Sequence, residues 1–272
     1  MNKICIIIPI HFIKRKFVKR LIHTFNHHNN SQYADIYFIL TNKLEYNKYK
    51  KYIFGFNYLI LPETLNHNLI TKNKIYPSFK KFWALEQITK INKYQYSICI
   101  DCEVHFFNLK NIHNICKYFC QQKTVFGGNG NIKNINGRCL DFIKLFYKEN
   151  TNTNIDINTY FWFSQFPIYD MQITKEFLKF INFQNYEFII SNMDWYCFEY
   201  IIYIYYCIIF HNYKITNLNN IGLRLNGSLE RKLNRTNLDF IRKNNFSINW
   251  QSNRHNNILD ENIIMLYHLD TK

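Results

Sequence analysis

The run ICIIIPI, from Ile4 to Ile10, constrains the fold more than any other stretch of the chain. It is continuous, dominated by β-branched isoleucine, and closed by a proline. Such a run fits a strand buried on both faces, as the strands of a parallel sheet are. A strand of that kind needs helices on both sides, and the adjoining sequence supplies them. KRKFVKRLIHTFNHH sets Phe17, Leu21 and Phe25 at helical spacing. ADIYFILTN (34–42) and YLILPET (58–64) read as the second and third strands. YPSFKKFWALEQITKIN reads as a helix, with Pro77 near its start and Phe79, Phe82, Trp83 and Ile88 turned inward. YSICIDCEVHFF (96–107) is then a fourth strand. The order strand, helix, strand, strand, helix, strand predicts an α/β fold with a mainly parallel sheet.

The second half is less regular. NICKYFC and CLDFIKLFYK look helical, TVFGGNGN (124–131) reads as a glycine-rich turn, and TYFWFSQFPIYD (159–170) reads as extended. MDWYCFEYIIYIYYCIIF (193–210) is the longest apolar stretch. Asp194 and Glu199 interrupt it, and the apolar segment beyond Glu199 is shorter than the ~20 residues a membrane helix needs. A buried core helix with Asp194 near its start is expected. Residues 222–246 are polar and basic and read as a mobile loop and helix. The expected organisation is one domain of two halves, residues 1–107 and 108–272.

Composition excludes several classes. Hydrophobic residues make up 47% and aromatics 18%, so the chain is not disordered. With 7 Gly and 4 Pro it is neither collagen-like nor linker-rich. The net charge of +15 suits phosphate-bearing partners, including nucleotides and an anionic membrane surface touched peripherally. Abundant Asn, Ile, Lys and Tyr are what an AT-rich genome produces, so lysines scattered over solvated faces account for that charge equally well. Several of the eight cysteines sit in apolar runs, where a free thiol packs as a small hydrophobe. Cys99 and Cys102 have C-x-x-C spacing, but no second pair accompanies them. The apolar run of MNKICIIIPIHF is too short for a signal peptide. A reducing, cytoplasmic setting is expected.

No G-x-G-x-x-G comes after the first strand, and no G-x-x-x-x-G-K-[ST], G-x-S-x-G or H-E-x-x-H occurs. What remains is Asp101-Cys102-Glu103 at the abrupt end of an apolar run. Residues i and i+2 of a strand point to one side. Two carboxylates there can share Mg²⁺ or Mn²⁺, and the cation can hold a diphosphate and neutralise charge on a leaving phosphate. The same alternation also describes the wet face of a half-exposed strand, with Ser97, Cys99, Asp101, Glu103 and His105 outward.

IIIPIH, YFILTN, FKKFWALEQI and YSICIDCEVHF together resemble the nucleotide-sugar half of GT-A-fold glycosyltransferases. The resemblance spans roughly residues 4–107. It implies a GT-A-like α/β domain, a mainly parallel central sheet flanked by helices with a more irregular, helical second half. It also implies a nucleotide-sugar donor, UDP-linked by expectation, and a glycan, glycoconjugate or other hydroxyl acceptor. In that family a D-x-D motif ends the fourth strand and binds Mn²⁺ or Mg²⁺, and here Glu103 replaces the final Asp. By position, Pro9, Ile10, His11, Thr41 and Asn42 would lie near the nucleoside. Lys80 or Lys81 would reach donor phosphate, the alternative being a solvated helix face. His268 in MLYHLD would join Asp101 and Glu103 at the metal. An inverting enzyme needs a carboxylate base. Asp194 is the first candidate, with helix capping as its rival reading. Glu199 is the lesser choice and Asp170 a weaker alternative. Trp162 or Trp195 would floor the acceptor site, or pack in the core. Competing expectations are a nucleotidyltransferase on a similar sheet, a basic nucleic-acid-binding protein and a catalytically inactive relative. A nucleic-acid partner is the less expected.

Overall fold

The isoleucine run forms β1 (Ile4–Pro9), with every residue buried, in the middle of a five-stranded sheet. The computed structural model describes residues 3–10, 15–102, 104–106, 109–110, 112–129, 133–147, 159–160, 167–217, 250–251 and 265–267. From β1 the chain runs through α1 (Arg15–His27), β2 (Ala34–Leu40), α2 (Lys43–Tyr49), β3 (Asn57–Ile60), α3 (His67–Lys72) and α4 (Tyr76–Ile91) to β4 (Tyr96–Cys99). Next come β5 (Val104–Phe106), α5 (Ile112–Gln122), β6 (Thr124–Asn129), α6 (Lys133–Lys144), β7 (Thr159–Tyr160) and β8 (Ile168–Asp170). The last described elements are α7 (Met171–Phe180), α8 (Tyr186–Asn192), α9 (Glu199–His211), β9 (Lys214–Asn217), β10 (Trp250–Gln251) and β11 (Met265–Tyr267).

The main sheet has the order β3-β2-β1-β4-β8. Its first four strands are parallel, and β8 joins β4 antiparallel. The fold is therefore α/β with a mostly parallel sheet covered on both faces. Alternation along the strands divides the core in two. Ile4, Ile6 and Ile8 pack with Phe17, Val18, Leu21 and Phe25 of α1. Cys5, Ile7, Ile39 and Cys99 pack with α4 and α9. Right-handed crossovers require this split, because β2 and β3 lie on one side of β1 and β4 on the other. The α4 and α9 layer draws residues from both halves of the chain into one cluster, from Cys5 to Cys207.

Four expectations change. Among the helices not expected from the sequence, α2 carries the parallel crossover between β2 and β3. Its start is a variant capping box, in which Asn42 Oδ1 accepts the Glu45 amide at 2.9 Å and the Glu45 carboxylate accepts the Thr41 amide. TVFGGN is a strand rather than a turn, paired to β7 and β9; its first three residues are good strand formers. The apolar helix starts at Glu199, not near Asp194, because residues 193–198 form a turn. YSICIDCEVHFF is not one strand. β4 is buried throughout, the chain bends at Asp101 and Cys102, and β5 joins a separate sheet with β11 and β10. The wet-strand reading fails for Ser97 and Cys99, both fully buried between layers. Residues 218–249, including the stretch expected to be mobile, lie outside the described residues.

Candidate functional site

Strand order reverses between β1 and β4, and ligands of open parallel sheets bind beyond the carboxyl ends of the strands at such a point. The carboxyl end of β1 is Pro9 and Ile10, both buried. The carboxyl end of β4 continues through Ile100, whose amide donates to Ile7 O at 3.0 Å, to Asp101. Asp101 keeps the parity of Cys99 and so faces the α4 and α9 layer. There it meets Lys81. Lys81 Nζ lies 3.1 Å from Asp101 Oδ1 and 3.0 Å from Glu199 Oε1. The side chain of Lys81 is 2% exposed, that of Glu199 1%, and that of Asp101 41%. A buried ammonium thus bridges a buried carboxylate and one that opens to solvent. The Glu199 contact is an ion pair without hydrogen-bond alignment, and Glu199 Oε2 has no hydrogen-bond partner among the described residues.

Lys80 serves a different purpose. It is fully buried, and its ammonium donates to Ile10 O and to Glu45 Oε2 at 3.2 Å. Burial pushes the Lys80 ammonium below its ordinary value, and Glu45 pulls it partway back. The residue straps the end of β1 to the start of α2, and Thr41 and Asn42 are fixed in the same turn. Neither lysine lies on a solvated helix face. For Lys80 the donor-phosphate role meets an amine already committed to a carbonyl and a carboxylate.

Asp194 lies in the turn before α9. Its Oδ2 accepts from Arg138 Nε at 2.8 Å, and its Oδ1 accepts the Tyr196 amide at 2.9 Å. The second bond caps a turn, not a helix. Arg138 was not singled out in the sequence, since nothing in its local pattern marks a partner 56 residues away. Trp195 beside it is exposed. Asp170 sits at the opposite end of the sheet, opposite Tyr96 in register, and caps α7 through the amides of Gln172 and Ile173. Cys99 and Cys102 are both buried. Burial, then neighbouring Glu199, pushes the Cys99 thiol well up, which suits a neutral wall residue rather than a thiolate ligand.

His11, Glu103, Trp162 and His268 lie outside the described residues. Their neighbours do meet: β5 and β11 pair antiparallel with Val104 opposite Tyr267. Among the described residues no three His, Cys, Asp or Glu side chains converge as a metal cage. Asp101 fits a hard cation in kind, being an oxygen donor that opens to solvent. A cation carried on a diphosphate needs only one or two protein carboxylates.

No protein-family model matches the chain, and no curated protein matches it in sequence. Among solved structures it is similar to core-mannan synthase A from Aspergillus fumigatus in its Mn/GDP form, over 76% of this chain and 69% of that one, with TM-score 0.42 and 12% identity. It is similar to mouse xyloside xylosyltransferase 1 in its apo form, over 80% and 85% of the two chains, with TM-score 0.41 and 8% identity. TarS residues 1–349 from S. aureus align over 64% of this chain and 48% of that one, with TM-score 0.35 and 14% identity, so the chain spans about half of that fragment. What those proteins bind or transfer is a property of theirs. The fold of this chain is described by its own strand order. No described helix is long and apolar enough to cross a membrane.

Proposed function

We propose that this chain is a metal-assisted glycosyltransferase of GT-A type, taking a UDP-linked sugar as donor and a glycan or other hydroxyl as acceptor. One observation carries the reading: a half-exposed carboxylate, Asp101, stands beyond β4 at the switch point with β1 and is held from beneath by buried Lys81. The resemblance of IIIPIH, YFILTN and YSICIDCEVHF to the nucleotide-sugar half of that family assigns the same position to the donor diphosphate. Asp101 would hold Mn²⁺ or Mg²⁺, with Glu103 and His268 as further ligands. The cation, when bound, supplies Lewis-acid neutralisation of the leaving diphosphate. Pro9 and Ile10 wall the nucleoside side, with Thr41 and Asn42 on the adjoining turn. Asp194 is the carboxylate assigned to deprotonate the acceptor, and its pairing with Arg138 fixes its direction. Trp195, exposed next to it, offers a face for a sugar ring.

The test is a thermal-shift screen of nucleotide sugars with and without Mn²⁺. A ligand that binds only the folded state raises its melting temperature. A rise that requires both components is the expected result, and it names the donor. No rise with any nucleotide sugar in the presence of Mn²⁺ sinks the reading.

A further inference from the structure

Lys81 stands between two carboxylates of unlike exposure. Glu199 lies on the core side, in the first turn of α9, where the helix dipole favours a negative charge. Asp101 lies on the solvent side. One ammonium and two carboxylates sum to a single negative charge. A buried ammonium demands a counter-charge, and Glu199 provides it from behind. Of the two carboxylates, Asp101 is the one an entering cation meets. A base must come within hydrogen-bond reach of the proton it takes. Glu199, 1% exposed and facing Lys81, is poorly disposed for that.

We propose that Glu199 is a positioning residue: by balancing Lys81 from the core side, it keeps the Asp101 carboxylate available to a divalent cation. This rests on the reading of Asp101 as the cation's ligand. With Glu199 uncharged, Asp101 is the remaining counter-ion of Lys81 in the triad. The triad is then neutral, and the ammonium competes with the cation for the same oxygens.

The experiment is Mn²⁺ binding by the full chain in the presence of saturating UDP, monitored by the EPR signal of free Mn²⁺. Glu199→Gln is expected to weaken Mn²⁺ by about tenfold or more, the range seen when an outer partner of a metal ligand is lost. Glu199→Asp keeps the charge and should stay within about threefold of the parent, under 1 kcal/mol. The double variant Lys81→Met with Glu199→Gln removes both buried charges together and should also return to within about threefold. That restoration separates charge balance from mere packing, since a purely structural Glu199 gives a double variant no better than the single one. Parent-like binding by Glu199→Gln, or binding by the double variant as weak as that of the single one, overturns the proposal. Loss of Mn²⁺ in Asp101→Asn would still leave the site reading standing in that case. If the parent takes up no Mn²⁺ with UDP, or Asp101→Asn binds like the parent, the site reading itself fails and this proposal with it. Should Glu199→Gln not fold by circular dichroism, the double variant decides alone, and weakening beyond threefold overturns the proposal.

Discussion

Both ends of the main sheet carry a cluster of lysines and carboxylates, but the two are inverted. At the amino end, Asp35 of β2 is the inner partner, 14% exposed, clothed by Lys3 at 39% and Lys93 at 58%. Tyr94 adds a hydrogen bond to Asp35 at 2.7 Å. At the carboxyl end Lys80 and Lys81 are buried together with Glu45 and Glu199, and Asp101 is the carboxylate that opens to solvent. One carboxylate beneath two exposed ammonium groups closes a fastening between β2 and the approaches to β1 and β4, and leaves it net positive. One carboxylate raised on a buried, already balanced ammonium presents negative charge to whatever enters. The same residue types make a clasp at one end and a receptor at the other, and burial order decides which.

The largest expected effect separates these roles. Asp101→Asn should lower Mn²⁺-dependent sugar transfer by about a thousandfold, several kcal/mol of charge stabilisation. It should change unfolding free energy by less than about 1 kcal/mol, since the pair with Lys81 is half open to solvent. Turnover rates set beside urea denaturation check both halves, and retained transfer breaks the comparison.

Next comes the strap. Lys80→Met leaves Glu45 and the Ile10 carbonyl buried without their ammonium. The loss of one partner from a buried pair costs about 3–5 kcal/mol. A urea midpoint that barely moves would mean that Lys80 does not hold β1 to α2.

Asp35→Asn tests the clasp and should cost about 1 kcal/mol at neutral pH with transfer unchanged. Partial burial pushes the Asp35 carboxyl up, but hydrogen bonds from Lys93, Tyr94 and Lys3 outweigh it and hold it below its ordinary 3.8. On acidification the unfolded chain therefore takes up that proton first. The stabilisation is complete above about 3.8 and is lost as pH falls through the lower folded value. Denaturation curves collected down the acid limb should be flatter for the variant. An unchanged slope would show that Asp35 is not what the acid removes.

The sheet was legible because its signals are local. A β-branched run such as Ile4–Pro9 has few other destinations, and Phe17, Leu21 and Phe25 recur at the spacing of one helix face. The parity of Ile98, Cys99, Ile100 and Asp101 was legible too, but not the burial of both faces, which β8 and the α4 and α9 layer impose from distant sequence. Asp101 was found from its place at the end of an apolar run. The pairings around the site were not, because Lys81, Glu199, Glu45 and Arg138 acquire their partners only when remote elements converge. A lysine in an amphipathic segment reads as solvated, yet α4 is buried almost all round, so Lys80 and Lys81 must carry their counter-charges with them. A local clue left unread was N-x-x-E at Asn42 and Glu45, which announces α2 and places a carboxylate beside the end of β1.

The smallest effect sharpens the comparison most narrowly. Asp170 belongs to the amino end, opposite Tyr96, and its Oδ1 is spent on the amides of Gln172 and Ile173. Asparagine caps a helix about as well as aspartate. Asp170→Asn therefore loses only the interaction of charge with the helix dipole, about 0.3–1 kcal/mol. Sugar transfer should be unchanged, because the receptor end of the sheet is untouched. The contrast with Asp194→Asn under identical conditions is the useful measurement. If transfer falls in the Asp170 variant and persists in the Asp194 variant, the base lies at the amino end, and chemistry cannot be confined to the end where the carboxylate stands outermost.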